Sequence, residues 1–528
     1  MISRRKFLAD SMALVASSSM IGTVAKAAGS KRAVGAKRPN LLFIQPDQFR
    51  IQSLGCWSQP EFRAALKTVA DPVQTPALDR LAKESLVFTR ATATASVCSP
   101  SRAMTMSGAY PSRNGVSINC RGTSQDGMHD DITCLTDVLE GAGYETALVG
   151  KTHWERNLPL FDSVGNYVGT ESSPGGHYVN PYDTYIPPGK GRHGNNYWYQ
   201  TIRDAHYNPL AYSSVPDLIG GKKDGQVYQT HGFSSVIEAD VVIDYLKNKN
   251  GQRDQKKPFS ILWDTVPPHS PYSSVSDSEQ DIYNKYYKGM SADKLLNRPN
   301  VNEKEAEHST RSSPADLETA ARVYFSLVSS VDRQVGRILQ ALDESGEADN
   351  TIVIFTSDHG EMMGSHGLYA KSVIFDEAFL VPLMIRFPKR LKPRTEDLMI
   401  GKVDMMPTIL GLVGLNRRIP QSVQGVDYSA ELMTEIFAAP PKPKSAAYIM
   451  KDEKGVRTDR YTYCIDKSGS TQLYENSVDP YQLNNLPLTS IDPEDLSILK
   501  QEVGRWLKMS NDPWFAAGLH VGLISYPS

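Results

Sequence analysis

Thr351-Ile352-Val353-Ile354-Phe355-Thr356-Ser357-Asp358-His359-Gly360 is an apolar run that stops on an aspartate and a histidine. A short, continuously apolar segment bounded by turn residues reads as a strand buried on both faces of a parallel sheet. Three more segments repeat the pattern: Asn40–Ile44 leads to Asp47 and Gln48, Glu145–Gly150 to Lys151 and His153, and Phe259–Trp263, through Pro267-Pro268, to His269. In open α/β sheets the ligand crevice lies at the carboxyl ends of the strands, so the ionisable residues gather where a site is expected. Helical patterns fall between these runs. Ser313-Pro314-Ala315-Asp316 opens a long helix with Val323, Leu327, Val331, Val335, Ile338 and Leu342 on one stripe and Gly346 at its end; Thr75-Pro76 opens another that buries Leu78, Leu81 and Ala82. The predicted fold class is α/β, doubly wound.

The 528 residues, 40% hydrophobic and 22% charged, suffice for one large core and a smaller domain. Ser3-Arg4-Arg5-Lys6-Phe7-Leu8, a weakly apolar stretch and Ala25-Lys26-Ala27 read as a twin-arginine signal peptide over residues 1–27, cleaved after export. That stretch is too short and too serine-rich for a membrane span. The expected location is periplasmic or secreted, with the Tat translocase as a partner. Without the leader, the 57 basic and 59 acidic residues become 53 and 58, a net charge of −5, which offers no footprint for nucleic acid. The expected organisation is a main domain over 37–439, with a Gly- and aromatic-rich insertion at 161–228. A Pro- and Lys-rich connection then leads to a C-terminal subdomain over 440–528.

Asp47, Gln48, Asp358 and His359 offer two carboxylates, an amide oxygen and an imidazole, a set suited to a divalent cation. The oxygens favour Ca²⁺ and the imidazole leaves Mn²⁺ open, although aspartates at strand ends also serve as plain loop and helix caps. Lys151, His153 and His269 could bind an anion and move a proton; His366 and Lys371 follow Asp358 before the apolar run Val381–Phe387. In Cys98-Ser99-Pro100-Ser101-Arg102, Pro100 fits the first turn of a helix, which would put Cys98 at a helix N-terminus where an anion is favoured. As an ordinary thiol, Cys98 could instead be a core residue or an acyl-transfer nucleophile. The other four cysteines, Cys56, Cys120, Cys134 and Cys464, allow three disulfide pairings among which the sequence does not choose.

Cys98–Arg102 fits the pattern C-x-P-x-R, and with the segments around it the chain resembles the type I sulfatases of the alkaline phosphatase-like superfamily from about Pro39 to Leu486. The first metal strand (Pro39–Ile44, Asp47-Gln48), the helix at Thr75–Ala82 and the second signature Gly143–His153 are similar to family motifs. So are Pro268–Tyr272, Thr356–Gly360 and the tail motif Leu473–Pro480, with Glu475 where Asp is usual. The resemblance implies a large, mostly parallel sheet sandwiched by helices, a smaller C-terminal α+β domain, and hydrolysis of an organic sulfate monoester, carbohydrate sulfates foremost. It further implies that a maturase converts Cys98 to formylglycine, whose hydrate is held by Arg102 and a metal on Asp47, Gln48, Asp358, His359 and the Cys98-derived side chain. Lys151 and Lys371 would neutralise sulfate, His269 would protonate the leaving alcohol, His153 would take the diol proton and Asn119 would contact substrate. Gln48 stands where many members have a second Asp and His359 where many have Asn. These departures leave metal identity open and keep a phosphonate or phosphate ester hydrolase as an alternative; a binding protein whose Cys98 is never modified is another. Tyr178, Tyr182, Tyr185, Tyr197, Trp198, Tyr199 and Tyr207 of the insertion could stack on sugar rings or pack among themselves; Trp198 is the expected sugar contact.

Overall fold

The four apolar runs lie side by side at the centre of one sheet. In the computed structural model, which describes residues 37–120, 124, 126–155, 185–202, 206–249, 251–303, 316–434 and 439–518, that sheet has ten strands. They are β1 (Asn40–Ile44), β2 (Leu86–Phe88), β3 (Glu145–Gly150), β4 (Tyr197–Thr201), β5 (Leu210–Ser213), β6 (Tyr228–Gln229), β7 (Phe259–Asp264), β8 (Thr351–Thr356), β9 (Leu383–Arg386) and β10 (Arg394–Glu396). Their order is β10-β2-β9-β8-β1-β7-β3-β4-β5-β6. The central five, β8-β1-β7-β3-β4, are parallel, and antiparallel partners flank them on both sides.

Successive residues of a strand face opposite sides of a sheet, so a strand covered on both faces must be apolar at every position. Leu42 and Ile44 of β1, Val149 of β3, Ile261 and Trp263 of β7, and Val353 and Phe355 of β8 share one core with the helices Ser234–Leu246 and Leu317–Glu344. Leu41, Phe43, Leu148, Leu262, Ile352 and Ile354 face the opposite core. They pack there against the helices Cys98–Ser107, Leu135–Glu140 and Lys402–Leu412. This alternation makes the architecture a helix–sheet–helix sandwich.

The long helix is capped by Asp316, whose carboxylate accepts from the backbone N–H groups of Glu318 and Thr319, and Gly346 beyond its end has φ +71°. The cap expected at Ser313-Pro314 lies outside the described residues. So do the leader and Tyr178 and Tyr182.

The aromatic insertion requires a correction. Tyr197, Trp198 and Tyr199 belong to β4, paired in parallel with Ala147–Gly150, and Trp198 is fully buried beneath the Arg192 guanidinium, 4.8 Å from its ring centroid. Aromatics suit a pleated, covered strand, and a five-residue strand buried on both faces shows no period that separates it from a loop. Trp198 is therefore not a sugar contact.

A second, antiparallel sheet follows: β11 (Ser445–Ile449), β12 (Glu453–Thr458), β13 (Tyr461–Asp466) and β14 (Thr471–Glu475), in that order. Val456, Tyr461, Tyr463 and Leu473 pack on Leu499, Val503 and Leu507 of the helix Pro493–Met509. Tyr448 of β11 stacks on Phe379 with ring centroids 3.9 Å apart and donates to Asp376 at 2.8 Å, and Arg457 pairs with the same carboxylate at 2.9 Å. Residues from Arg38 onward thus form one compact unit. No disulfide joins Cys56, Cys98, Cys120, Cys134 or Cys464, all buried. Among the described residues, no helix is long and apolar enough to cross a membrane.

The helix Pro76–Lys83 is anchored by a buried carboxylate: Asp332 accepts from the N–H groups of Ala77 (3.2 Å) and Leu78 (2.7 Å). Burial outweighs those two amides and pushes its pKa up to about 7. A raised acid contributes stability that is full below its unfolded value near 3.8 and is lost as pH rises through about 7. Asp332→Asn gives up one acceptor but cannot ionise. Thermal unfolding is expected to show it less stable than the parent near pH 5, with the gap narrowing or reversing by pH 8.

Candidate active site

Asp47 lies just past β1, held by its N–H bond to Thr265 O at 3.0 Å, and Gln48 follows with φ +66°. A non-glycine residue in the left-handed region is uncommon and costs about 1 kcal/mol or more, so the surrounding bonds must enforce it. They do: Gln48 N–H donates to Asp358 Oδ1 at 3.0 Å, and Tyr324 O–H donates to Gln48 O at 2.8 Å. Ser357 Oγ accepts from Phe49 N–H (2.8 Å) and donates to Pro46 O (3.0 Å), tying the ends of β1 and β8 together.

Across this junction runs the helix Cys98–Ser107, ended by Gly108 in the left-handed conformation. Its first turn presents Cys98 Sγ 3.1 Å from His359 Nε2 and 3.8 Å from Asp47 Oδ1. One turn on, Arg102 is 1% exposed and reaches three carboxylates from three strand ends. Nε meets Asp358 Oδ2 at 2.9 Å, Nη1 meets Asp264 Oδ1 at 3.1 Å and Nη2 meets Asp47 Oδ2 at 3.3 Å. Lys151 Nζ bonds Asp47 Oδ2 at 3.0 Å.

Burial alone would raise the Asp47 pKa, but Lys151, His269, Arg102 and His359 outweigh it and hold the group well below the usual carboxylate range. For Asp264 burial prevails over Arg102 and the Gln45 amide, pushing it up to about 6. Arg102 loses solvation yet is raised further by Asp358, Asp264 and Asp47.

The donor set fits a cation. His359 Nδ1 donates to Gly360 O at 2.9 Å, so its Nε2 lone pair is turned toward Cys98, Asp47 and Asp358. Asp47, Cys98, Asp358 and His359 each place one ligand atom within 4.8 Å of the others. Burial first, then Lys371, lowers the His359 pKa against the pull of Asp358 and Asp47, which favours the neutral, ligating ring. Three carboxylates facing Arg102 and Lys151 leave room for more positive charge. Gln48 is placed differently from the expected ligand: its side-chain N–H₂ donates to Glu361 and its amide oxygen accepts from Lys371.

The remaining candidates form two groups. His153 is 2% exposed, has φ +61°, and neither ring nitrogen meets a hydrogen-bond partner. Burial, with Lys151 and Arg102 beside it, holds its pKa well below that of an ordinary imidazole, so the ring is neutral. His269 and Lys371 are half-buried; Nε2 accepts from Lys371 Nζ at 2.8 Å and Nδ1 donates to Ser270 O at 2.9 Å. Asn119 Oδ1 accepts from Ser99 N–H at 3.1 Å, and Asn119 lines a cleft of about 670 Å³ with Val97, Pro100, Ser372, Lys451 and Glu453. His366 stands apart from these groups, stacked on Phe375 with centroids 3.9 Å apart.

Sequence reasoning missed Asp264, Glu361 and Lys402. Asp264 ends β7, one residue beyond the apolar run, and could have been found by the same strand-end argument. Glu361 holds the N–H groups of Met363 (2.8 Å) and Ala370 (2.7 Å) besides Gln48. Lys402 donates to Thr356 Oγ1 at 2.9 Å, its pKa lowered to about 7 by burial. No local pattern signals either.

The family model Sulfatase matches residues 39–415, and N-sulphoglucosamine sulphohydrolase, C-terminal, matches residues 364–505. An endo-4-O-sulfatase of Bacteroides thetaiotaomicron is 37% identical over 519 residues, covering 93% of this chain and 96% of the relative. An ulvan-active sulfatase of Formosa agariphila is 29% identical over 462 residues, covering 85% and 77%. A chain solved in work on the metabolism of multiple glycosaminoglycans by Bacteroides thetaiotaomicron superposes with a TM-score of 0.82 at 36% identity, covering 93% of this chain and all of its own.

Gly150 sets how closely β3 and β7 approach at the site. It has φ +111°, and a Cβ there would lie 2.1 Å from Asp264 O, the acceptor for Lys151 N–H at 2.7 Å. Gly150→Ala is expected to destabilise by about 1–3 kcal/mol and to lower activity by separating Asp264 from Arg102. Gly143 also has positive φ but faces open space, so Gly143→Ala should cost about 1 kcal/mol and leave turnover unchanged. Thermal melts and initial rates on both variants check this.

Proposed function

The chain belongs to the sulfatase family and is a sulfatase, and from that premise we propose that it hydrolyses sulfate esters on an extracellular glycan with a formylglycine made from Cys98. The observation that carries the proposal is the seat of Cys98 Sγ, 3.1 Å from His359 Nε2 and 3.8 Å from Asp47 Oδ1, at the head of a helix. In this reading the thiol stands where the aldehyde of the mature enzyme would be. The hydrated aldehyde supplies a nucleophile that can later be released by elimination, and a divalent cation, Ca²⁺ foremost, supplies charge to polarise a sulfate oxygen.

The protein's own groups do the rest. Asp47, Asp358 and His359 would hold the cation, and Arg102 fixes both carboxylates from beneath. Lys151 and Lys371 offset the charge of the sulfate oxygens. The half-buried Lys371–His269 pair delivers a proton to the departing alcohol, and the neutral, buried His153 accepts one from the nucleophile. Asn119 and the cleft beside it receive the sugar, with Lys451 and Glu453, at the turn from β11 into β12, also lining that cleft. The likeness to an endo-4-O-sulfatase along nearly its whole length, together with that to a chain solved in work on the metabolism of glycosaminoglycans, supports a 4-O-sulfated glycosaminoglycan chain as the first substrate to try. Export through the Tat translocase to the periplasm or beyond, and maturation by a formylglycine-generating enzyme, belong to the same proposal.

Release of inorganic sulfate from 4-O-sulfated oligosaccharides tests it, using protein co-produced with a maturase. Turnover is expected with the parent, none with Cys98→Ala, and about a hundredfold less with Lys371→Ala. A strong preference for phosphodiesters, or an unaltered Cys98 thiol by peptide mass spectrometry in protein from its native host, would overturn the reading.

A further inference from the structure

A second group of side chains of metal-ligating type lies outside the sulfatase site and shares no residue with it. Cys134 precedes the helix Leu135–Glu140, Asp137 sits in that helix's first turn, and His193 follows the turn Lys190–Arg192. Their ligand atoms lie within 4.8 Å of one another. His193 Nδ1 is 3.2 Å from Asp137 Oδ2, a separation typical of two ligands on one tetrahedral ion, while the Asp137 carboxylate is steadied by the Cys134 N–H at 2.8 Å.

Cys134 is fully buried and His193 is 6% exposed. His193 Nε2 is sealed from solvent without a hydrogen bond, and Glu155 Oε1 stands 3.5 Å from it. An imidazole that binds a metal through one nitrogen commonly gives its other N–H to a carboxylate, which fixes the tautomer and strengthens the ligand. Glu155 is placed for that role. Asp137, Glu155 and His193 also line a cavity of about 630 Å³, which gives an ion a way in and leaves a coordination position for water.

We propose that Cys134, Asp137 and His193 form a zinc site, with Glu155 orienting the histidine. Thiolate, imidazole and a single carboxylate make a soft, mixed set that selects Zn²⁺ over the hard, oxygen-seeking Ca²⁺. The ion staples the helix Leu135–Glu140 to the segments bearing Glu155 and His193, and by binding the folded chain it stabilises that chain. The competing arrangement is metal-free: a protonated His193 pinned between Asp137 and Glu155.

Co²⁺ titration of the full-length Cys98→Ala protein, which has no thiol in the sulfatase site, separates the two. A thiolate-to-cobalt charge-transfer band should saturate at one equivalent and be displaced by Zn²⁺. It should vanish in Cys98→Ala/Cys134→Ser and need at least tenfold more Co²⁺ in Cys98→Ala/Glu155→Gln. No band in Cys98→Ala, or a band that survives Cys134→Ser, overturns the site. Should the Cys134 variant fail to fold, zinc-edge anomalous diffraction from Zn²⁺-soaked parent crystals decides: a peak between Cys134 Sγ and His193 is expected, and its absence there refutes the proposal.

Discussion

One buried guanidinium organises this protein's chemistry. Arg102 holds Asp47, Asp264 and Asp358 from the carboxyl ends of β1, β7 and β8, all four side chains at 2% exposure or less. Taking such charges out of water costs several kcal/mol per ion, and their attraction repays it only when geometry and hydrogen bonding are good. The cluster is therefore no simple source of stability. Removing Arg102 would leave three carboxylates facing one another in a dry interior, so the strand ends, the helix Cys98–Ser107 and the seat of Cys98 stand or fall together. With Lys151 the cluster still carries three carboxylates against two cations, a charge balance that suits the metal proposed beside Cys98.

Much of this was legible in the chain because it is written locally. The strands β1, β3, β7 and β8 are unbroken apolar runs, and their sequels Asp47, Lys151, His153, Asp358 and His359 meet at one end of the sheet because parallel strands point the same way. Pro100 marks the first turn that puts Cys98 at a helix head. What stayed hidden depends on partners far away in sequence. Asp264 gains its meaning from Arg102, 162 positions earlier, and Glu361 from the Gln48 amide. Lys402 belongs to a helix whose buried faces show no single stripe. Trp198 misled because an aromatic strand buried on both faces resembles an aromatic loop, and only pairing with β3 tells them apart.

Gln48 shows how an amide at the end of a strand shapes its neighbourhood. As an amide it cannot add a charge, and its two ends instead join Glu361 to Lys371, which in turn donates to His269. Gln48, just past β1, thereby helps to orient the Lys371–His269 pair. The second sheet contributes by position as well: Tyr448 and Arg457 lock it to Asp376, so the turn between β11 and β12 is held against the cleft beside Asn119.

The seat proposed for nucleophile and cation together is tested most directly by anomalous diffraction from crystals of the aldehyde-bearing protein grown with Ca²⁺ or Mn²⁺. The account predicts one strong peak bonded by Asp47, Asp358 and His359 and touching the side chain at position 98, with Arg102 still bridging the three carboxylates. A peak elsewhere, or an ordered side chain at 98 turned away from both aspartates, would contradict it.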